Sequence, residues 1–273
     1  MTTDAPAGPN TIVLIHGLWM TPLSWEHWIE RYKARGYAVL APTWPGMDFP
    51  IEQLRSNPST MNGVGVNEVV NSYADVITKL ERPPIIMGHS FGGLVTQILI
   101  GRGMGAAGVA LDSAPPKGIK LLPTSSLKSA FPSLKNPLAK NGTTALTAKQ
   151  FQYAFTNTMT DEESERVRDR YAVPGTNRAP WQAATANFTP HAATTVDVNN
   201  SHRAPLLLIT GEMDHIAPPS LVKKILKMYR RSTSLTEYKE FPGRTHFIAG
   251  QDGWQEVADY ALTWAEDHTT VRA

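Results

Sequence analysis

The 273-residue chain contains no cysteine, which removes disulfides, thiol nucleophiles and thiolate metal sites at once. Charge bias is missing too. Lys and Arg number 26 against 24 Asp and Glu, and a net charge of +2 gives no bulk electrostatic case for nucleic acid or a membrane. No uninterrupted apolar run approaches the ~18 residues of a bilayer span, and the opening MTTDAPAGPN has neither the basic start nor the apolar core of a leader peptide. There is no H-E-x-x-H and no acidic cluster, so no metal is expected. The glycines of GHSFGG and GRGMGAAG match neither G-x-G-x-x-G after a first strand nor G-x-x-x-x-G-K-S/T, so no nucleotide cofactor is expected. The densest basic stretch, Lys223, Lys224, Lys227, Arg230 and Arg231, falls in a helically periodic segment and reads as a solvated face. Repeats and long low-complexity tracts are absent. Composition suits a soluble globular protein of one large domain, or one domain with an insertion; the absence of cysteine fits a cytoplasmic location, and the oligomeric state is open.

What is present is a regular alternation. Apolar runs at Thr11–Ile15, Tyr37–Ala41, Pro84–Met87, Gly108–Leu111, Pro205–Thr210 and Leu235–Phe241 read as six strands. Runs such as IVLI and LLLI do not alternate with polar residues, as expected for strands covered on both faces of a parallel sheet. Helical spacing fills the gaps: Trp25, Trp28, Ile29 and Tyr32; Val69, Val70, Tyr73 and Ile77; Leu221, Val222 and Ile225; Trp254, Val257, Ala261 and Leu262. The fold class is α/β. From 118 to 202 no strand is expected, yet LTAKQFQYAF and TDEESERVRDR look helical. A structureless loop of that length is improbable in a compact domain. The division expected is therefore a core of 1–117 and 203–273 with an inserted helical cap at 118–202.

Between an apolar strand and an apolar helix stands Gly88-His89-Ser90-Phe91-Gly92, a G-x-S-x-G turn. Such a turn lifts the serine hydroxyl clear of the sheet, and the glycines remove side chains that would collide with the neighbouring backbone. A serine alone is a poor nucleophile; it needs a base, a group to orient the base, and donors for an oxyanion. LLLITGEMDHIAP supplies Asp214 in the loop after a strand, and EFPGRTHF supplies His246 after the next. TIVLIHGLWM ends in a turn that can aim the Leu18 amide at Ser90, with the Phe91 amide as second donor.

With HGLW, GHSFGG, GEMDHIAP and GRTHF in this order, the chain resembles the α/β-hydrolase superfamily, and most closely its small esterases and cofactor-free haloperoxidase-like serine hydrolases. The resemblance covers about residues 11–117 and 203–268. It implies a Ser90–His246–Asp214 triad, oxyanion donors at Leu18 and Phe91, no cofactor, and a variable cap. Serine at 90 argues against the dehalogenase and epoxide-hydrolase branches, which carry aspartate there. Only ten residues precede the first strand, so about six strands are expected rather than eight, without the opening antiparallel hairpin.

Among the other candidates, His89 packs beside the elbow, His215 is a loop residue, and His16 is structural beside the oxyanion turn. Asp112, ending GVALDSAP, stands where some relatives keep an alternative triad acid; Asp214 is preferred because GEMDHIAP carries the family loop. Trp19, Met20, Ile216, Phe247, Phe155 and Trp181 are expected to contact substrate. A mostly apolar pocket favours an uncharged hydrophobic ester or lactone over a phosphorylated one. The function expected is carboxylesterase- or lipase-like, through an acyl-enzyme on Ser90. Two alternatives stand beside it: a lyase, acyltransferase or cofactor-free oxidative enzyme on the same site, and a ligand-binding receptor retaining the triad.

Overall fold

In the computed structural model, which describes residues 8–269, the strands come in the expected order. They are β1 (Thr11–Ile15), β2 (Ala38–Leu40), β3 (Ile85–His89) and β4 (Ala107–Leu111), then the two-residue β5 (Thr143–Thr144) and β6 (Gly175–Thr176), then β7 (Leu206–Gly211) and β8 (Thr236–Phe241). The helices are α1 (Glu26–Ala34), α2 (Ile51–Ser56), α3 (Val66–Ile77), α4 (Phe91–Gly101), α5 (Thr124–Leu134), α6 (Ala148–Phe155), α7 (Asp161–Tyr171), α8 (Arg178–Thr185), α9 (Pro219–Met228) and α10 (Trp254–His268). The first seven and last four residues, including most of the stretch read above as lacking a leader, lie outside the described residues.

Six strands form one sheet in the order β2-β1-β3-β4-β7-β8, and every neighbouring pair is parallel. Strand side chains alternate between two apolar layers, as the pleat requires. Val13, Ile15, Ile86, Ala110, Leu206 and Leu208 point into the layer shared with α3, α4 and α9. Ile12, Leu14, Ile85, Met87, Val109 and Leu207 point into the layer shared with α1 and α10. Burial on both faces explains the unbroken apolar runs. The α4 helix is covered on every side: from Gly92 to Ile100 all its residues are buried. A bidentate Arg31–Asp259 pair at 2.6 Å ties α1 to α10 on the opposite layer.

Between β4 and β7 the chain runs through α5–α8, and here one expectation is corrected. Residues 118–202 hold two short strands, β5 and β6, paired antiparallel. Two residues each give no alternation to read; the pair is set by tertiary contact instead. Trp19 Nε1 donates to the Thr144 carbonyl at 3.0 Å, and Thr176 Oγ1 to that of Val64 at 2.7 Å, so the short sheet is seated on core loops. α6 and α7 begin with reciprocal caps, Thr147 with Gln150 and Thr160 with Glu163, each satisfying otherwise free amides. Phe151 and Phe155 of α6 are buried in the same apolar layer as α4, so the segment is packed onto the sheet domain.

Candidate active site

In a parallel sheet every strand ends on one edge, so the loops after β1, β3, β4, β7 and β8 converge. β1 lies between β2 and β3, where successive connections run to opposite sides. That switch point is where open α/β sheets leave a crevice. Ser90 sits on it, at the tip of β3, with φ 57° and ψ −119°. Among the described residues only two other non-glycine residues have positive φ, Trp19 after β1 and Asp112 after β4. All three lie on this edge. Such conformations cost roughly 1–3 kcal/mol each and persist only where surrounding structure over-determines them.

The elbow glycines are required by close approach. A side-chain carbon on Gly88 would collide with the Gly92 carbonyl, and one on Gly92 with the Ile15 carbonyl. Ser90 itself is anchored by its amide to the Leu111 carbonyl at 2.9 Å and by its carbonyl to the Ala114 amide at 3.0 Å. On the other side, a carbon on Gly17 would lie 2.9 Å from Ser90 Cβ. The β1 turn therefore presses directly on the serine, with Leu18 next in the chain and Phe91 the first residue of α4.

His246 is fully buried, and its Nδ1 donates to Asp214 Oδ2 at 2.7 Å. The other Asp214 oxygen accepts the amides of Ile216 at 2.6 Å and Ala217 at 3.0 Å. These bonds fix the carboxylate in a tight loop. They also fix the histidine tautomer, leaving Nε2 without its proton when the ring is neutral. That Nε2 is buried with no hydrogen-bond partner. The elbow holds the histidine in turn: His89 Nε2 donates to the His246 carbonyl at 2.8 Å, and the two rings lie 4.5 Å apart. Phe155 closes the opposite side edge-on at 5.0 Å.

Asp112 belongs to this cluster. His89, Asp112 and His246 bring side-chain nitrogen or oxygen atoms within 4.8 Å of one another, all buried. Asp112 Oδ1 accepts the Gly211 amide at 2.8 Å, while Oδ2 has no partner. Burial first, and then the neighbouring Asp214 charge, push the Asp112 carboxyl well above the usual carboxylate range. Of the two carboxyls, it is Asp214 that holds the His246 ring through a hydrogen bond.

His16 is structural in its contacts. Its Nδ1 donates to the Gly17 carbonyl at 2.9 Å, its Nε2 accepts the Trp44 amide at 3.3 Å, and its ring stacks on Trp44. Burial lowers its pKa to about 4 against the Gly17 bond, and burial likewise holds His89 well below the ordinary value. Between about pH 4 and 6.5 the unfolded chain binds a proton at His16 that the folded chain refuses. Stability from this group is therefore full above pH 6.5 and is lost as pH falls towards 4, by up to about 3 kcal/mol. Urea midpoints should drop on acidification from pH 7 to 4.5, and less steeply in His16→Asn; midpoints flat across that range would contradict the assignment.

A cavity of about 500 Å³ opens at Ser90. Leu18, Trp19, Phe91 and Ile216 line it, two of them among the six residues expected to contact substrate. The other four expected contacts do not line it. Met20 is buried beside a small void with Trp44, Met47 and Met61. Phe155 stacks on Phe151, Phe247 packs against Tyr171, and Trp181 donates to the Ser133 carbonyl between α8 and α5. These large side chains build the packing under the inserted segment. From the inserted segment the aromatic lining the cavity is Phe188, and beside it stand small residues that a search for aromatics passes over: Ser126, Ser129 and Ala130 from α5, and Ala183 and Ala184 from α8. His215 bonds through Nδ1 to the Tyr153 carbonyl at 2.8 Å, holding α6 rather than facing Ser90.

Comparison with known proteins agrees with the fold. A family described as the alpha/beta hydrolase family matches residues 12–260. The chain resembles a monoacylglycerol lipase of Paleococcus ferrophilus at 19% identity and TM-score 0.65, covering 96% of this chain and 97% of that one. It also resembles a thermophilic esterase from Thermogutta terrifontis (16%, TM-score 0.67, 97% and 92% covered). An extracellular alpha/beta-hydrolase from a Paenibacillus species is similar at 21%, TM-score 0.65, with 94% and 99% covered. Among curated proteins, none matches the sequence. No helix among the described residues is long and apolar enough to cross a membrane.

Proposed function

The chain belongs to the alpha/beta hydrolase family, and from that premise we propose that it is a serine hydrolase cleaving a carboxylic ester or lactone of a hydrophobic small molecule. The observation that carries the reading is the buried Asp214–His246 pair with a free Nε2, held against a strained elbow whose serine opens on an apolar cavity. In this reading Ser90 attacks the carbonyl while His246 Nε2 takes its proton. Asp214 keeps the ring oriented and stabilises the imidazolium. The amides of Leu18 and Phe91 hold the oxyanion, and one such donor is worth roughly 3–4 kcal/mol of transition-state stabilisation. His246 then protonates the leaving alcohol and activates water to release the acyl group from Ser90. The family's lipase and esterase likenesses are distant, so the reading rests on the site.

The test is a panel of chromogenic esters of graded chain length, with several lactones, assayed on wild type and Ser90→Ala. Turnover of at least one class that vanishes in the variant supports the proposal; turnover equal in both proteins refutes it.

We assign residues 118–202 the role of a cap that sets substrate choice, since they supply one wall of the cavity but neither Ser90, Asp214 nor His246. Ala183→Phe should shorten the cavity and lower the preference for long over short acyl chains by roughly 10- to 200-fold, the scale of a few methylenes. Fluorophosphonate labelling of Ser90 should persist. Unchanged chain-length ranking in folded wall variants would remove the cap from specificity.

A further inference from the structure

The basic stretch read from the sequence as a solvated helix face does not simply face water. Lys224, Lys227, Arg230 and Arg231 at the end of α9 line an open groove of about 580 Å³ together with Lys120 from the loop after β4. No carboxylate lines it. Nearly equal numbers of acids and bases in the chain make five cations without one acid a marked local departure. Lys223, one position away, turns to the other side of α9 and pairs with Glu240 at 2.9 Å; the groove cations have no such pairing among the described residues. The Lys224 ammonium donates to the Leu121 carbonyl at 2.9 Å, fastening the loop to α9.

Place in the fold gives the groove its meaning. Ile119 and Lys120 line both the groove and the cavity that opens at Ser90, so the two meet at this loop. The loop is held in shape by Asn187, which accepts the Gly118 amide and donates to the Ile119 carbonyl. Ile119, Val198 and Met228 add apolar surface between the cations. An apolar slot thus runs to a rim of positive charge.

We propose that the groove binds an anionic group of the substrate, of phosphate or phosphonate type, carried several bonds from the scissile carbonyl. The inference rests on the ester-hydrolase reading above and extends it: the cavity takes the apolar chain, and the groove takes the charge. Exposed ion pairs are individually weak, but several cations of one sign around a cleft raise both capture rate and occupancy, and salt screens them. Arg230 and Arg231 add forked donors matched to phosphate oxygens.

Two ester pairs test this, each pair matched in length, one carrying a neutral or phosphonate end on the acyl chain and the other on the alcohol. They are assayed as monomers with wild type and with Lys227→Ala/Arg230→Ala/Arg231→Ala, all exposed positions. At least one anionic ester should exceed its neutral partner in kcat/KM by about 10-fold at low salt. The triple variant and added salt should erase that advantage and leave the neutral esters within about 2-fold. Equal kcat/KM within both pairs, or a preference untouched by the triple variant, overturns the proposal. Charge dependence seen only for neutral esters on anionic vesicles also overturns it, in favour of membrane docking. Binding of octyl phosphate to Ser90→Ala separates the two readings. If no ester is hydrolysed through Ser90 yet octyl phosphate binding is lost when Ser90→Ala also carries Lys227→Ala/Arg230→Ala/Arg231→Ala, the hydrolase reading fails and the anion site stands. If octyl phosphate binds that variant as tightly as Ser90→Ala itself, the anion site fails.

Discussion

Replacing Asp214 by Asn is expected to lower kcat for ester hydrolysis by about 10⁴-fold, with the fold intact, while Asp112→Asn stays within a few-fold of wild type. Both carboxyls are buried beside His246 and both end parallel strands, so position alone does not rank them. Their bonds do. Asp214 receives the His246 Nδ1 proton at 2.7 Å and two loop amides on its other oxygen, a setting that stabilises an anion. Asn there can present its amide nitrogen to the ring and select the wrong tautomer. Asp112 accepts the Gly211 amide and makes no hydrogen bond to the His246 ring, and burial first, then Asp214, push its carboxyl well above the usual carboxylate range. Asparagine matches it in size, and its oxygen can still take the Gly211 amide without placing a charge beside Asp214. Steady-state kinetics on variants shown to be folded by circular dichroism decide the matter, and the reverse ranking moves the triad acid to Asp112.

Ser90→Ala should show the largest loss of all, about 10⁶-fold in kcat, since removing the nucleophile of such a unit costs about as much as removing the whole unit. A fluorophosphonate should label wild type stoichiometrically and the variant not at all, because only an activated hydroxyl attacks it quickly. The serines at 126 and 129 share the cavity but lack a histidine partner among their contacts, so they serve as internal controls. Labelling that persists undiminished in Ser90→Ala would place the nucleophile elsewhere. Stability is expected to change little in the variant, since alanine keeps the same Cβ and the backbone at φ 57° stays anchored by its amide and carbonyl.

The sequence displays whatever depends on local pattern. The four central strands announce themselves because burial on both faces demands unbroken apolar runs, and the elbow because Gly88 and Gly92 are forced by backbone contact. Asp214 and His246 are legible through the loops that carry them. Three things were hidden because they are made by distant contacts. β5 and β6 are too short to have a period, and their pairing depends on Trp19 and the Val64 carbonyl. Part of the cavity wall is built of Ser and Ala, whose place follows from how α5 meets α8, while Phe155, Phe247 and Trp181 are drawn into packing. The upward shift of the Asp112 carboxyl comes from burial first and then from Asp214, about a hundred positions away in the chain. The basic stretch is exposed, as its pattern indicates, but that pattern does not show Lys120 brought beside it.

The order β3-β4-β7 also has a consequence for synthesis. When β4 leaves the ribosome, its partner on one side already exists, but β7 lies beyond the whole of residues 112–205. At ~5–20 residues per second, the free edge of β4 waits roughly 5–20 s for its neighbour. That edge is Ala107–Leu111, apolar throughout and buried in the finished protein. Unpaired apolar edges of this kind recruit other strands, so the nascent chain passes through a window in which chaperone binding or aggregation competes with closure of the sheet. The segment that walls the substrate cavity is therefore also the delay that the folding chain must survive.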